Sequence, residues 1–564
     1  MTQSEPGGTV GGFNAALTST VNPARETGGT LRFARTSGFD SLDAGNTYYA
    51  FAWNFLRLYG RSLVTFDLAP GRAGQRLVPD LAQTLGVTDD GGRTWTYRLR
   101  RDVRFEDGTP VTAYDVRHAI ERSNFRPDVL GKGPTYFHHH LRTIDAVTTP
   151  DPYTLVFRPA EPFAAFDHLA TLPSTVPVPR HRDTGADYHL RPVATGPYRV
   201  ADYVPGERLV LLPNPCWDPA TDPVRSRRAA RIEVALGVDG QTVDDLLLSG
   251  ETDIDLAGVG VQPATLEKIM ADPVLRGRAD NPHMGFTWMY AINPNVQPFD
   301  NIHCRRAVQY GTDKAAMQQA YGGPLAGDIA GTVLPPTLAG HEPSDRYPCG
   351  PDHHGDFARA RAELAAAGRP DGFRTRIAAR VDRLKEYAAA QALSTSLARV
   401  GIDAEVVPFQ SGDYFEKYAG VPAYVHEQGL GIIMFGWGAD FPDGFGFFDQ
   451  ILHGRSIKQS GNHNFAELDL PEINALLESG ARTTDGEART RTWTAVDRAV
   501  METATICPYL HARSLLYRGP RATHAHVSGA YGMYDYAALG ALPEPAAPKD
   551  RPVPGRPRPT GPSL

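Results

Sequence analysis

The residues of this 564-residue chain whose types and spacing could do chemistry are carboxylates recurring at short intervals, Asp253 with Asp255 and Asp440 with Asp443. Two nearby carboxyls can divide acid and base duties when one is held protonated and the other ionised. Each pair also has a plainer reading. Asp253 and Asp255 fit a charged face, and Asp440 precedes Phe441-Pro442-Asp443-Gly444, where an Asp commonly caps a turn. Phe441, Phe445, Phe447 and Phe448 crowd around Asp440, a density that suggests an apolar wall.

Histidines cluster as His138-His139-His140 and His353-His354, but adjacent side chains diverge on a helix or strand and cannot share one metal ion. They read as solvated loop residues. The cysteines Cys216, Cys304, Cys349 and Cys507 lack paired C-x-x-C spacing and read as buried thiols, with any disulfide connectivity left open. The chain has no G-x-x-x-x-G-K-[ST], H-E-x-x-H or G-x-S-x-G motif, so neither a cofactor nor a metal is expected.

The elements that must hold these residues alternate between strand and helix. Candidate strands are Leu31 to Phe33, Thr94 to Leu99, Tyr153 to Phe157, Ile232 to Leu236, Trp288 to Ile292, Phe373 to Ala379 and Asp403 to Val407. Tyr48 to Trp53 fits an amphipathic helix. Thr112 reads as the N-cap of a helix from Ala113 to Arg122, and Gly250 as the stop of one from Thr242 to Ser249. Longer helices are expected over Lys385 to Val400 and Arg489 to Ala504. This is an α/β pattern, and its length suits three or four folding units.

A net charge of −7, from 57 basic and 64 acidic residues, leaves no basic surplus for a phosphate backbone and excludes nucleic acid as a partner. No apolar run reaches the ~18 residues of a membrane span. Met1 to Gly8 carries neither a basic nor an apolar signal region. The leader to Gly29 looks like the spacer after a lipoprotein cleavage site, which places the protein outside the cytoplasm, tethered to a membrane, if a signal has been removed. It is cytoplasmic if Met1 is the native start.

The segment Leu99 to Val116, with Arg104-Phe105-Glu106-Asp107-Gly108-Thr109-Pro110-Val111-Thr112-Ala113, strongly resembles a signature of the family 5 extracellular solute-binding proteins, the peptide and nickel receptors of ABC importers. Further matches follow in the family's order: Leu77 to Ala82, Ala194 to Tyr198, Asn214 with Trp217, Pro298 to Asp300, Arg305 to Val308, Thr312 to Lys314 and Gly436 to Asp440. The resemblance spans residues 28 to 540.

It implies a periplasmic-binding-protein-like two-lobed α/β fold with an extra inserted domain and an interlobe ligand cleft. The boundaries expected are a flexible leader 1–27, lobe I at 28–66, the insert at 67–190, lobe I again at 191–286, lobe II at 287–506, a lobe I return at 507–541 and a disordered Pro-rich tail at 542–564. By the same resemblance Asp440 falls where peptide-binding relatives place the carboxylate that pairs with a ligand's α-ammonium. Trp437 and Tyr290 fall near the cleft lining, and Tyr48, Tyr49 and Phe441 join them as candidate contacts.

The implied function is a monomeric receptor that closes by a hinge on a small peptide or peptide-like solute and delivers it to an ABC permease with separate ATPase subunits. Backbone hydrogen bonds would hold the peptide with loose specificity. The alternative is an intracellular enzyme or carrier that uses the same cleft on a small metabolite without a cofactor, in a biosynthetic pathway, with Asp440 as base.

Overall fold

The computed structural model describes residues 12–25, 27–130 and 136–543. In strand Thr30–Ala34, Leu31 and Phe33 are buried and Arg32 between them is not, the period of two that a half-buried strand requires. It pairs in parallel with Arg231–Ala235 and with Ile254–Asp255. A hairpin of Tyr198–Val204 and Arg208–Pro213 completes a five-stranded lobe I sheet. Helix Gly240–Ser249 ends at Gly250, whose φ of 81° is the left-handed conformation that glycine adopts without a Cβ clash.

Between that first strand and the hairpin lies an antiparallel sheet of Trp95–Arg98, Thr154–Phe157 and Val147–Asp151. Helix Ala113–Ile120 packs with it. The Asp115 carboxylate accepts the Thr112 N–H at 2.9 Å, which fixes the start of this helix where the sequence places it.

Lobe II is a six-stranded sheet in the order Gly327–Ile329, Ile506–Arg513, His283–Ile292, Ile432–Gly438, Phe373–Arg380 and Ile402–Phe409. Helix Leu384–Ala398 links the last two, which run parallel. The chain crosses between lobes at Asp280 to His283 and at Arg513 to Leu516, where Ala279–Asp280 pairs with Leu516–Tyr517.

Two boundaries differ from expectation. Residues 507–513, expected to open the return to lobe I, do not: strand Ile506–Arg513 lies beside His283–Ile292, pairing Tyr290 with Cys507, so the return begins after Arg513. The leader is not flexible over its described part, because Ala16 and Val21 are buried. The Ala16 N–H donates to Asp280 Oδ1 at 2.9 Å and Val21 pairs with Ala525. Residues 1–11 of the leader and 544–564 of the Pro-rich tail lie outside the described residues. The buried core of the insert is continuous with that of lobe II, while lobe I keeps two clusters of its own.

Candidate functional site

Strand Ile432–Gly438 delivers Trp437 and Asp440 to the mouth between the lobes, and helix Gly444–Leu452 begins just beyond. That helix is capped by Asp443, whose carboxylate accepts the Phe445 N–H at 3.0 Å and pairs with Arg489 at 3.1 Å. Asp443 is thus occupied structurally as the cap of the helix. Asp443→Ala is expected to lower stability by more than the ~1 kcal/mol of the lost cap, since it also strands Arg489, and to leave ligand affinity unchanged, which melting curves beside a titration would check.

From lobe I, Asp40 accepts the Thr47 hydroxyl and the Tyr48 N–H, each at 2.8 Å, and so aims the Tyr48 side chain across the gap. The Tyr48 hydroxyl donates to Asp440 Oδ1 at 2.9 Å, joining residues 392 positions apart. Beside it Tyr49, 55 % exposed, stacks on Phe51 at 5.8 Å, and the Arg35 guanidinium lies 3.8 Å over the Phe51 ring.

Trp437 is half-buried, its ring 5.2 Å from His463, and its indole N–H is buried without a partner among the described residues. Burial pulls His463 down to about 4, so it faces Trp437 as a neutral ring. Nothing in the local sequence Gly461-Asn462-His463-Asn464 signals that role.

Tyr290 corrects the sequence reading. It is fully buried and its hydroxyl shares a 2.5 Å hydrogen bond with Thr312. Trp437 is registered opposite Thr287. Tyr290, three residues further along, therefore projects from the other face of the sheet.

Phe441 is 4 % exposed, its ring stacked on His168 of the insert at 5.3 Å, and Phe445 meets Phe163 of the insert at 4.9 Å. These rings seal the insert to lobe II rather than forming an open wall. Beside them a cavity of about 390 Å³ opens next to Asp440, with Arg142 of the insert and Arg455 and Lys458 of lobe II at its walls.

His140 also corrects expectation, since it is not a solvated loop residue. It packs 4.3 Å from Phe163, and burial takes it down to about 3. The side chain of His138 lies outside the described residues. His354 sits 3.0 Å from Asp313. Asp253 and Asp255 belong to the lobe I sheet: Asp253 accepts the Arg32 N–H, and burial pushes Asp255 up to about 6 against the Ala257 N–H it accepts.

The site thus offers a carboxylate, phenol oxygens and aromatic faces, with neutral imidazoles beside them. That set suits gripping a cation or a hydrogen-bond donor.

Residues 76–459 match the family model described as bacterial extracellular solute-binding proteins, family 5 Middle. The chain belongs to this family. Relatives of this family 5 protein include the glutathione-binding protein GsiB of Escherichia coli O6:K15:H31 (strain 536 / UPEC), 25 % identical over 440 residues, 76 % of this chain and 79 % of that one. The di/tripeptide-binding protein 1 of Pseudomonas aeruginosa (strain UCBPP-PA14) is 26 % identical over 478 residues, 80 % and 83 % of the two chains. Among solved structures, the clavulanic acid biosynthesis oligopeptide binding protein 2 is similar at a TM-score of 0.89 and 46 % identity, over 94 % of this chain and 98 % of that one. The two-lobed solute-binding fold is therefore shared with a known oligopeptide-binding protein. Among the described residues no helix is long and apolar enough to cross a membrane.

Proposed function

We propose that this family 5 protein is the receptor of an ABC importer and closes its lobes on a small peptide or peptide-like solute. The observation that carries the reading is the meeting of Tyr48 from lobe I with Asp440 from lobe II at 2.9 Å, which puts a carboxylate and a phenol at the point where the lobes close. A peptide's α-ammonium presents three donors to that pair, and a charge-assisted bond to the carboxylate is the strongest single contact the site offers. Trp437 and Tyr49 supply flat faces that tolerate varied side chains. Relatives named for glutathione and for di- and tripeptides favour a ligand of two or three residues.

The protein acts as a monomer, tethered outside the cytoplasm beside its permease and ATPase. The 46 % identical relative is named for clavulanic acid biosynthesis and for oligopeptide binding together, which favours a receptor serving a biosynthetic route over a catalyst within one.

Isothermal titration of the purified protein with trialanine, followed by chromatography of the mixture, tests this reading. One peptide bound per chain and recovered intact is expected. Absence of binding across short peptides, or conversion of the peptide, would contradict it.

A further inference from the structure

In lobe II, the segment that follows strand Gly327–Ile329 runs from Ala330 to His341 without regular structure, yet it is firmly tied at both ends. The Asp497 carboxylate, on helix Gly486–Glu502 and 4 % exposed, accepts the Val333 N–H at 3.0 Å and the Leu334 N–H at 3.3 Å. The Thr494 hydroxyl donates to the Gly340 carbonyl at 2.7 Å. A Cβ on Gly340 would come within 2.9 Å of the Thr490 carbonyl, so the segment presses directly on the helix.

Between these ties the segment meets residues 72–75, which open the insert but are held to lobe I, the Gly71 N–H donating to the Val527 carbonyl at 3.0 Å. The Arg72 guanidinium donates to the Pro336 carbonyl at 2.7 Å, and the Gln75 amide donates to Thr337 and Gly529 carbonyls, each at 2.9 Å. A second path leads to the crossover strands. Thr332 Oγ1 lies 3.3 Å from His511 Nε2, and His511 Nδ1 lies 3.1 Å from Thr287 Oγ1. A cavity of about 200 Å³ lies between the segment and the helix, bordered by Thr332, Gly340 and Asp497.

We propose that residues 330–341 are an interlobe strap through which closure of the lobes and the state of the Asp497 cavity control one another. The inference rests on the hinge closure of the receptor reading. When the lobes part, Arg72 and Gln75 let go of Pro336 and Thr337, the strap relaxes and water reaches Asp497.

The charged groups around the cavity are paired with each other. Arg498 pairs with Glu342, and Arg346 holds Glu502 through two bonds of 2.6 and 2.7 Å. His341 donates to the Leu334 carbonyl at 2.8 Å and is lowered by burial, and His511 is lowered by burial to about 3, so His511 faces the strap neutral. Arg72 stands at the strap's tip. Asp497 is the carboxyl of the cavity raised toward neutrality: burial pushes it up to about 7, against the two amides it accepts.

The closed form holds this proton more tightly than an opened, hydrated form whose carboxyl returns toward the ordinary range. Its contribution to closure is full below the ordinary carboxylate pKa and is lost as pH rises through about 7. Between pH 6 and 8 that predicts a closed-to-open ratio falling about tenfold.

Small-angle scattering of the ligand-free protein at pH 6, 7 and 8 reads this ratio as a shift in radius of gyration. Compaction at pH 6 relative to pH 8 is expected in the wild type. It should vanish in Asp497→Asn, and also in the double variant Arg72→Ala with Gln75→Ala, which leaves Asp497 in place and guards against misfolding of the first. A wild type indifferent to pH, or a response that survives in either folded variant, overturns the proposal. No ligand enters the measurement, so a protein that binds no peptide leaves the result decidable.

Discussion

Arg61→Ala is expected to cost about 3–5 kcal/mol of stability, because it breaks a buried ion network and strands the remaining charges. Arg61 and Asp80 are both fully buried, joined at 2.7 Å. Arg61 also donates to the Thr221 carbonyl at 2.8 Å, while Arg225 takes the second Asp80 oxygen at 2.7 Å and pairs with Asp222. The network ties the first lobe to the start of the insert and to the loop beyond the hairpin. Burial pushes the Asp222 carboxyl up, but Arg225 and Arg61 more than offset it and hold it well below the usual range. A depressed carboxylate stabilises the fold above its unfolded pKa and loses that contribution as pH falls, so acid should weaken the same network. Thermal melts should show a drop on the order of 10 °C for Arg61→Ala at neutral pH. A shift of a degree or two would mean that the network contributes little.

Asp440→Asn should cost about 1.5–3 kcal/mol of peptide affinity, the worth of a charge-assisted contact, or roughly ten- to a hundredfold in Kd. Asn keeps the shape and can still accept from Tyr48, so the lobes should meet as before. Its melting temperature should stay near wild type, because the helix that follows is capped by Asp443 instead. Titration with trialanine and a melt on the same sample separate these effects: lost stability with unchanged affinity would reassign Asp440 to its loop.

Local features of this fold were legible in the sequence. Thr112 marks a helix start that the structure places at Ala113, and the long helix expected from Lys385 runs over Leu384–Ala398. These are short-range signals of capping and period.

What depended on distant partners was not legible. Strand alternation says that Tyr290 and Trp437 lie on faces of a sheet but not which face meets the cleft, and the register of Trp437 with Thr287 decides against Tyr290. The leader looked polar and loose, yet Asp280 and Ala525, hundreds of residues away, hold Ala16 and Val21 in place. Strand patterning does not name a strand's neighbours, so the sequence expects the return to lobe I at 507 where Ile506–Arg513 in fact pairs within lobe II. The contact of Tyr48 with Asp440 joins residues 392 positions apart, which no local pattern encodes.

The central claim is that Asp440 and Tyr48 together hold the ammonium end of a peptide. Calorimetric titration of the wild type with trialanine and with N-acetyl-trialanine tests it most directly, since acetylation removes the charge and two of three donors while keeping the rest of the chain. Trialanine is predicted to bind ten- to a hundredfold more tightly than its acetylated form, with most of that difference lost in Asp440→Asn. Equal affinity for the two peptides in the wild type would contradict the claim.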